Sequence, residues 1–490
     1  MSGAGHTDAV VLGAGVAGLA AARDLALSGA RVVVLDPAQR PGGPVRTGVV
    51  GGMTCDLGAE SFLTRRPELL DLLVELGTAA EVVAPRATAA TVVRRGYRHD
   101  LPARTVFGVP SDPSTLAGLL TPDEVARAVA ETPRPMTGDC SVADFVGTRL
   151  GTAVVDHVVD PLLGGVYAGR AADLSAEATL PQLAAAVRDG RGLREAAADV
   201  LAAAAAGPGS VPFAGLRGGV GRIPGLLADA VRRSGGQVRL GVAATALSRV
   251  GGRWAVATST GQPTGHDGAA ARPGGLTADA VVVATPAPVA GRLLAGPVPE
   301  ASVLADVATA DVAVVVLAVD ARDVPDIAAG RSSGLLVPAP EGAAAGLAVK
   351  AVTFASAKWA WIGDQDPDTV LLRASVGRAG DPGASLLPDT DLVARALADV
   401  TRLLRPGGRL RLRDATVQRW PASLPQYRVG HAGTVGAVRS SVHAVPGLAL
   451  AGNVLDGVGL PACVATGRAV AARVLAHLGA RSRPSQEDPS

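Results

Sequence analysis

A glycine-rich turn between an apolar run and a helical pattern constrains this chain more than any other feature. Residues 9–12 form a short apolar run, residues 13–18 read GAGVAG, and residues 17–28 carry helical periodicity that Gly29 ends. A second apolar run over 31–35 then closes on Asp36, eighteen residues after Gly18. This is the pattern of a β-α-β unit with a dinucleotide over its turn. Gly13 permits the tight turn, Gly15 lets the backbone approach a pyrophosphate, and Gly18 lets helix and strand pack closely. Ala14, Val16 and Ala17 complete the turn, and the helix start offers free N–H groups and a positive dipole end. Asp36 stands where a carboxylate accepts the ribose hydroxyl hydrogens. A glycine turn that binds nothing leaves the flanking strand, helix and acid unexplained.

The remaining composition narrows the class. At roughly 150 residues per domain, 490 residues imply about three domains and ample core. The 46 basic and 44 acidic residues nearly balance, which argues against a nucleic-acid surface built on bulk charge. Arginine almost replaces lysine, with only Lys350 and Lys358 present. Cys55, Cys140 and Cys463 are far apart and predict buried free thiols, with no metal or disulfide framework. The richest apolar stretches, 281–284 and 312–319, are short and β-branched and predict buried strands rather than a membrane span. The N-terminus lacks the basic flank and cleavage site of a signal peptide, so a cytoplasmic address is expected, with peripheral membrane association left open.

Along the chain, a helix is expected over 67–76 and mostly helix over 120–205. Thr121, Pro122 and Glu124 form a capped start, 141–150 a further helix, and 184–206 one Ala-rich helix broken at 207–210. Strands are expected at 237–240, 254–258 and 280–284, with a surface loop at 261–275. Residues 310–425 alternate strands and helices, a last strand covers 448–451, and a helix runs from Pro461 to about Leu478. The polar tail 481–490 is expected to be disordered.

Two further features separate the cofactor classes. The pair Gly42–Gly43, flanked by Arg40 and Arg46, is placed to approach the same pyrophosphate or a flavin ring. Near the C-terminus, residues 451–467 read AGNVLDGVGLPACVATG, and Pro461 suits the first turn of a helix. Such a helix start can stabilise negative charge on the N1–C2=O edge of a reduced flavin.

With these segments the sequence resembles the oxygen-dependent protoporphyrinogen/coproporphyrinogen oxidase family of the flavin amine-oxidase superfamily. The resemblance is carried by residues 10–25, 56–77 (DLGAESFLTRRPELLDLLVELG), 161–183 (PLLGGVYAGRAADLSAEATLPQL), 215–228, 419–431 (RWPASLPQYRVGH) and 451–470. PLLGGVYAG and PQYRVGH are the more specific segments; 84–140 and 255–350 match less. The resemblance implies an α/β fold: a Rossmann-like FAD-binding domain with an interleaved mixed-sheet substrate domain and a helical insertion. It divides the chain into FAD-binding parts 1–80, 211–285 and 431–480, a substrate domain from 81–104 and 286–430, and an insertion at 105–210. By similarity, the FAD contacts are Gly13, Ala14, Gly15, Val16, Ala17, Gly18, Asp36, Gly42, Gly43, Gly58, Ala59, Glu60, Ser61, Val242, Trp420, Val458, Gly459 and Leu460. Pro44 departs from the family, where Lys or Arg usually follows the glycine pair, and Arg46 is expected to take over that charge.

The resemblance also implies six-electron oxidation of a porphyrinogen, in three hydride transfers to FAD, with dioxygen reduced to hydrogen peroxide. Such chemistry needs positioning, a dry cavity and cationic anchors more than a catalytic base. Arg65 and Arg66 are the candidate propionate anchors, since guanidinium forks pair with carboxylates. A solvated helix start before Pro67 is an equally simple reading of both. Tyr167 is a candidate cavity wall or a core residue, and His431 reads as structural rather than catalytic. The soluble branch of the family favours coproporphyrinogen III, with protoporphyrinogen IX as the alternative and handover of product to a ferrochelatase. An amine oxidase would want an aromatic pair and a lysine near the flavin, which two lysines and 2% aromatic residues hardly supply. A carotenoid desaturase should lack PLLGGVYAG and PQYRVGH. A nonenzymatic flavin- or tetrapyrrole-binding scaffold would not be reduced by substrate.

Overall fold

The computed structural model describes residues 7–206, 212–260, 274–381, 383–405 and 407–481. The expected break at 207–210, most of the loop at 261–275 and all but the first residue of the tail 481–490 lie outside them.

The N-terminal β-α-β unit is formed by strand Thr7–Leu12, helix Val16–Leu27 and strand Val32–Asp36. Both strands are buried runs of Val, Leu and Ala, as parallel strands covered on two faces must be. They join a seven-stranded sheet in the order 237–240, 32–36, 7–12, 274–283, 253–260, 242–250, with strand Leu448–Leu450 also paired to Gly274–Val283. The central pairs are parallel and the 242–260 hairpin is antiparallel. The last two residues of the loop expected over 261–275 instead begin the long strand Gly274–Val283. Strand Val242–Val250 went unpredicted because its residues are mostly half-exposed or exposed, which gives no clean alternation.

A second seven-stranded sheet has the order 412–425, 309–320, 369–376, 349–354, 334–336, 90–94, 97–100 and is antiparallel except for the 334–336/90–94 pair. Strand Thr309–Asp320 alternates in the way a two-faced strand requires. Ala313, Val315, Leu317 and Val319 share a core with helix Asp389–Leu404. Val314, Val316 and Ala318 face Met53, Cys55, Leu57 and Trp420. This second core fastens the sheet to the passage that follows the first β-α-β unit.

Residues 113–206 are largely helical around Phe145, Leu163 and Tyr167. Thr121 and Glu124 make the expected reciprocal cap on helix Pro122–Val129, and Ser141 caps Val142–Leu150. The single helix expected over 184–206 is two, Pro181–Arg188 and Leu193–Ala206, because Gly190 takes φ +89° between them. A π turn at Val155–Val159 runs directly into helix Asp160–Val166, where Pro161 lacks the N–H that a regular register would need.

Helix Leu460–Arg481 lies against helix Val16–Leu27, close enough that a Cβ at Gly467 would strike the Ala17 carbonyl. No helix among the described residues is long and apolar enough to cross a membrane. Of the three thiols expected to be buried, Cys55 is; Cys140 and Cys463 are half-buried, and all three are free.

Candidate active site

Helix Val16–Leu27 begins at Gly15 with no side-chain cap, so its first N–H groups are unclaimed. Gly13 holds φ +106°, and a Cβ there would lie 2.5 Å from the Ala284 carbonyl oxygen. Gly18 packs against the Gly13 carbonyl with no room for a side chain. At Gly15 the added atom would meet nothing within 4 Å. The turn is thus closed against the sheet at 13 and 18 and open outward at 15. Val16 and Ala17 are buried beneath it.

Asp36 accepts hydrogen bonds from Ala14 N at 2.7 Å and Ala38 N at 2.8 Å. One carboxylate therefore fixes both the glycine turn and the end of its own strand, and each oxygen keeps a further lone pair. Gly241 N donates to Ala38 O at 3.0 Å, which brings Val242 alongside this end of the strand. Gly42, at φ +110°, donates to Ala14 O at 2.8 Å, while Gly43 has nothing within 4 Å of its Cβ position. Arg40 reaches the Gly43 carbonyl at 3.0 Å and lies over the Trp420 ring at 5.7 Å. Arg46, expected to supply the charge missing at Pro44, donates to Gln418 at 2.7 Å.

Trp420 donates to Leu57 O at 3.0 Å and backs Gly58, where a Cβ would strike the Pro44 carbonyl. Gly58, Ala59, Glu60 and Ser61 are all partly exposed, although Leu57 and Phe62 on either side are buried. Glu60 turns its carboxylate toward the second sheet, where Lys358 Nζ lies at 2.6 Å and Arg373 engages the other oxygen. Burial opposes the charge on Glu60, but the two cations prevail and hold its carboxyl at about 2.

The C-terminal motif meets these elements from the other side. Gly457 and Val458 are half-buried, Gly459 is exposed, and Leu460 is buried at the start of the long helix. Arg66 donates to Glu68 at 2.8 Å and to the Asp456 carbonyl at 3.4 Å, so the predicted anchor stands at this loop with part of its fork engaged. Arg65 is exposed and has no ionic partner among the described residues. Tyr167 lies 5.6 Å from Tyr427, tilted by 57°, and Tyr427 stacks on His431 at 4.1 Å. The Tyr427 hydroxyl donates to the Asn453 carbonyl and accepts from Gly457 N at 3.0 Å. His431 contacts the Val454 carbonyl at 2.9 Å, and burial lowers its basicity. Burial also raises Tyr167 to about 12, so the phenol stays neutral.

The structure therefore brings the 13–18 turn, Asp36, 42–43, 58–61 and Trp420 along one side, and Arg66, Tyr167, His431 and 457–460 around the C-terminal loop. Tyr427, Lys358 and Arg373 join them without having been singled out in the sequence. The scarcity of Tyr and Lys was a usable signal for Tyr427 and Lys358; nothing marked Arg373 among 44 other basic residues besides Lys358. No cluster of His, Cys, Asp or Glu among the described residues could hold a metal ion.

Residues 16–475 match the family of flavin containing amine oxidoreductases. The chain belongs to this family. It is 38% identical to the coproporphyrinogen III oxidase of Mycobacterium tuberculosis over 94% of this chain and 96% of that one. It is 27% identical to the coproporphyrinogen III oxidase of Bacillus subtilis over 97% and 99%. The fold matches a crystal structure from Exiguobacterium, assigned provisionally as a protoporphyrinogen oxidase, with TM-score 0.80 and 28% identity over 96% and 99% of the two chains. Membership makes this a flavin-dependent oxidoreductase. The open backbone at Gly15 and Gly43, beside an uncapped helix start, is a donor set that suits a flavin nucleotide's phosphates.

Proposed function

We propose that this chain oxidises coproporphyrinogen III to coproporphyrin III, with FAD as cofactor and dioxygen as oxidant. The substrate loses six hydrogens, and three dioxygen molecules become three hydrogen peroxides. When bound, FAD supplies the two-electron acceptor for hydride from the methylene bridges and passes the electrons on to dioxygen. The observation that carries the reading is the junction of Arg66, Tyr167, Tyr427 and the 453–457 loop, which draws the most family-specific segments of the sequence together. The relatives of the same name, similar over nearly the whole chain, support it.

On this reading the uncapped N–H groups after Gly15 hold the pyrophosphate, and Asp36 holds the ribose beside Val242. Residues 42–43, 58–61 and 458–460 and Trp420 surround the flavin ring. Tyr167 and Tyr427 keep water from the reacting carbons, and neither phenol titrates in the working range because burial raises both. Arg65 and Arg66 bind propionates at the mouth. The FAD-binding part is built from 1–80, 211–285 and 431–480, the substrate domain from 81–104 and 286–430, and the helical insertion from 105–210. A cytoplasmic site of action and transfer of product to a ferrochelatase complete the proposal.

The test is oxygen consumption and porphyrin fluorescence by FAD-loaded protein, with coproporphyrinogen III and protoporphyrinogen IX side by side and autoxidation subtracted. Preference for the tetracarboxylate is expected. Preference for protoporphyrinogen moves the enzyme to the dicarboxylate step. No turnover of either with FAD bound overturns the assignment.

A further inference from the structure

Two cations converge behind the loop 58–61. Lys358 Nζ lies 2.6 Å from one Glu60 oxygen, while Arg373 engages the other and also donates to the Gly58 carbonyl. The side chains of Lys358, Glu60 and Arg373 are only 18%, 13% and 8% exposed, so their charges are poorly screened. Arg373 also keeps a buried Nε–H with no acceptor. Two neighbours complete the surroundings. Asp56, held by Val220 N and Gly221 N, is pushed up to about 7 by burial, and Cys55 is pushed up to about 11 and stays a thiol. At neutral pH the cluster therefore carries a net charge between zero and +1. Only one carboxylate, Glu60, is engaged by both cations, so the pair is not fully offset by direct contact.

We infer that Lys358 and Arg373 are positioning residues that raise the reduction potential of the flavin. The inference rests on the reading that lays the flavin against the loop 58–61. A hydride delivers two electrons and one proton, so reduction adds one negative charge until a further proton follows from solvent. Cations fixed in a weakly screening interior favour that charge at no cost of reorganisation. Glu60 fixes them in place by accepting from both, and its own charge opposes theirs. Removing a cation and removing Glu60 must therefore move the potential in opposite directions, which a purely structural brace would not do.

The experiment is anaerobic redox titration of FAD-loaded protein against dyes of known potential. Lys358→Gln keeps a hydrogen bond to Glu60 and removes one positive charge. It is expected to shift the oxidised-to-reduced ratio about tenfold toward oxidised, close to 30 mV for a two-electron couple. Glu60→Gln is expected to shift the ratio the other way, and Lys358→Arg to stay within about threefold of the parent. Shifts of the same sign in both charge variants, or no shift in either with FAD fully bound, overturn the inference. If Lys358→Gln does not fold, Glu60→Gln against Lys358→Arg still decides the sign. Failure of the parent protein to take up FAD would overturn the placement of the flavin, and this inference with it.

Discussion

At the residue scale, the side chains that matter do so through what they leave unsatisfied when removed. Tyr427→Phe strips the hydroxyl from between the Asn453 carbonyl and Gly457 N while keeping the ring against Tyr167 and His431. Orphaning those groups costs about 1–3 kcal/mol. A lowered thermal midpoint is expected, with faster loss of flavin on dilution. Arg65→Ala removes an unpaired surface cation, so no loss of stability is expected. One charge-assisted carboxylate contact is worth about 1.5–3 kcal/mol, so KM for coproporphyrinogen III should rise roughly tenfold to a hundredfold with kcat little changed. Arg66→Ala should cost less, because Glu68 already occupies part of its fork. Steady-state kinetics on the two variants checks both. The glycines and Asp36 were legible in the sequence because their roles are local: a turn, a close approach, the end of a strand. Arg373 was not, because its partner Glu60 lies 313 residues away in the chain, and Tyr427 was not, because no turn or glycine pattern marks its bonds to the 453–457 loop.

At the scale of elements, caps and breakers were the reliable signals. Thr121, Pro122 and Glu124 mark the start of Pro122–Val129 by a mechanism that works on any chain, and both bonds of the capping box form. Thr121→Ala should cost about 1 kcal/mol. Faster amide exchange confined to Pro122–Val129 is the expected signature. The alanine-rich stretch misled for the opposite reason. Alanine favours helix everywhere, so propensity alone cannot say that Gly190 and Gly192 outweigh it between two segments that pack differently. Gly467 was visible as a glycine inside a helix, but its reason, contact with Ala17 on the N-terminal helix, belongs to tertiary packing.

At the scale of the whole molecule, the ionic link between the loop 58–61 and the second sheet makes stability depend on acid. Glu60 sits at about 2 in the folded protein, below the ordinary value of 4.5. An unfolded chain binds the proton first, so this contribution is present above about pH 4.5 and fades as pH falls toward 2. Its size is on the order of 3 kcal/mol. Chemical denaturation between pH 3 and 6 should show this slope in the parent protein and a flatter profile in Glu60→Gln. Alternation of apolar runs and helical patterns made many strands and helices legible from sequence, yet which sheet each strand joins is decided by crossovers that no local pattern encodes.

The packing of Leu460–Arg481 on Val16–Leu27 also imposes a timetable. Translation at roughly 5–20 residues per second separates the two helices by about twenty to ninety seconds. Throughout that interval the alanine face of the first helix has emerged from the ribosome without its cover. The nascent polypeptide cannot complete this helix pair until residues 460–481 have been made. On the proposed reading, with 458–460 beside the flavin ring, capture of the cofactor waits on the synthesis of that second helix.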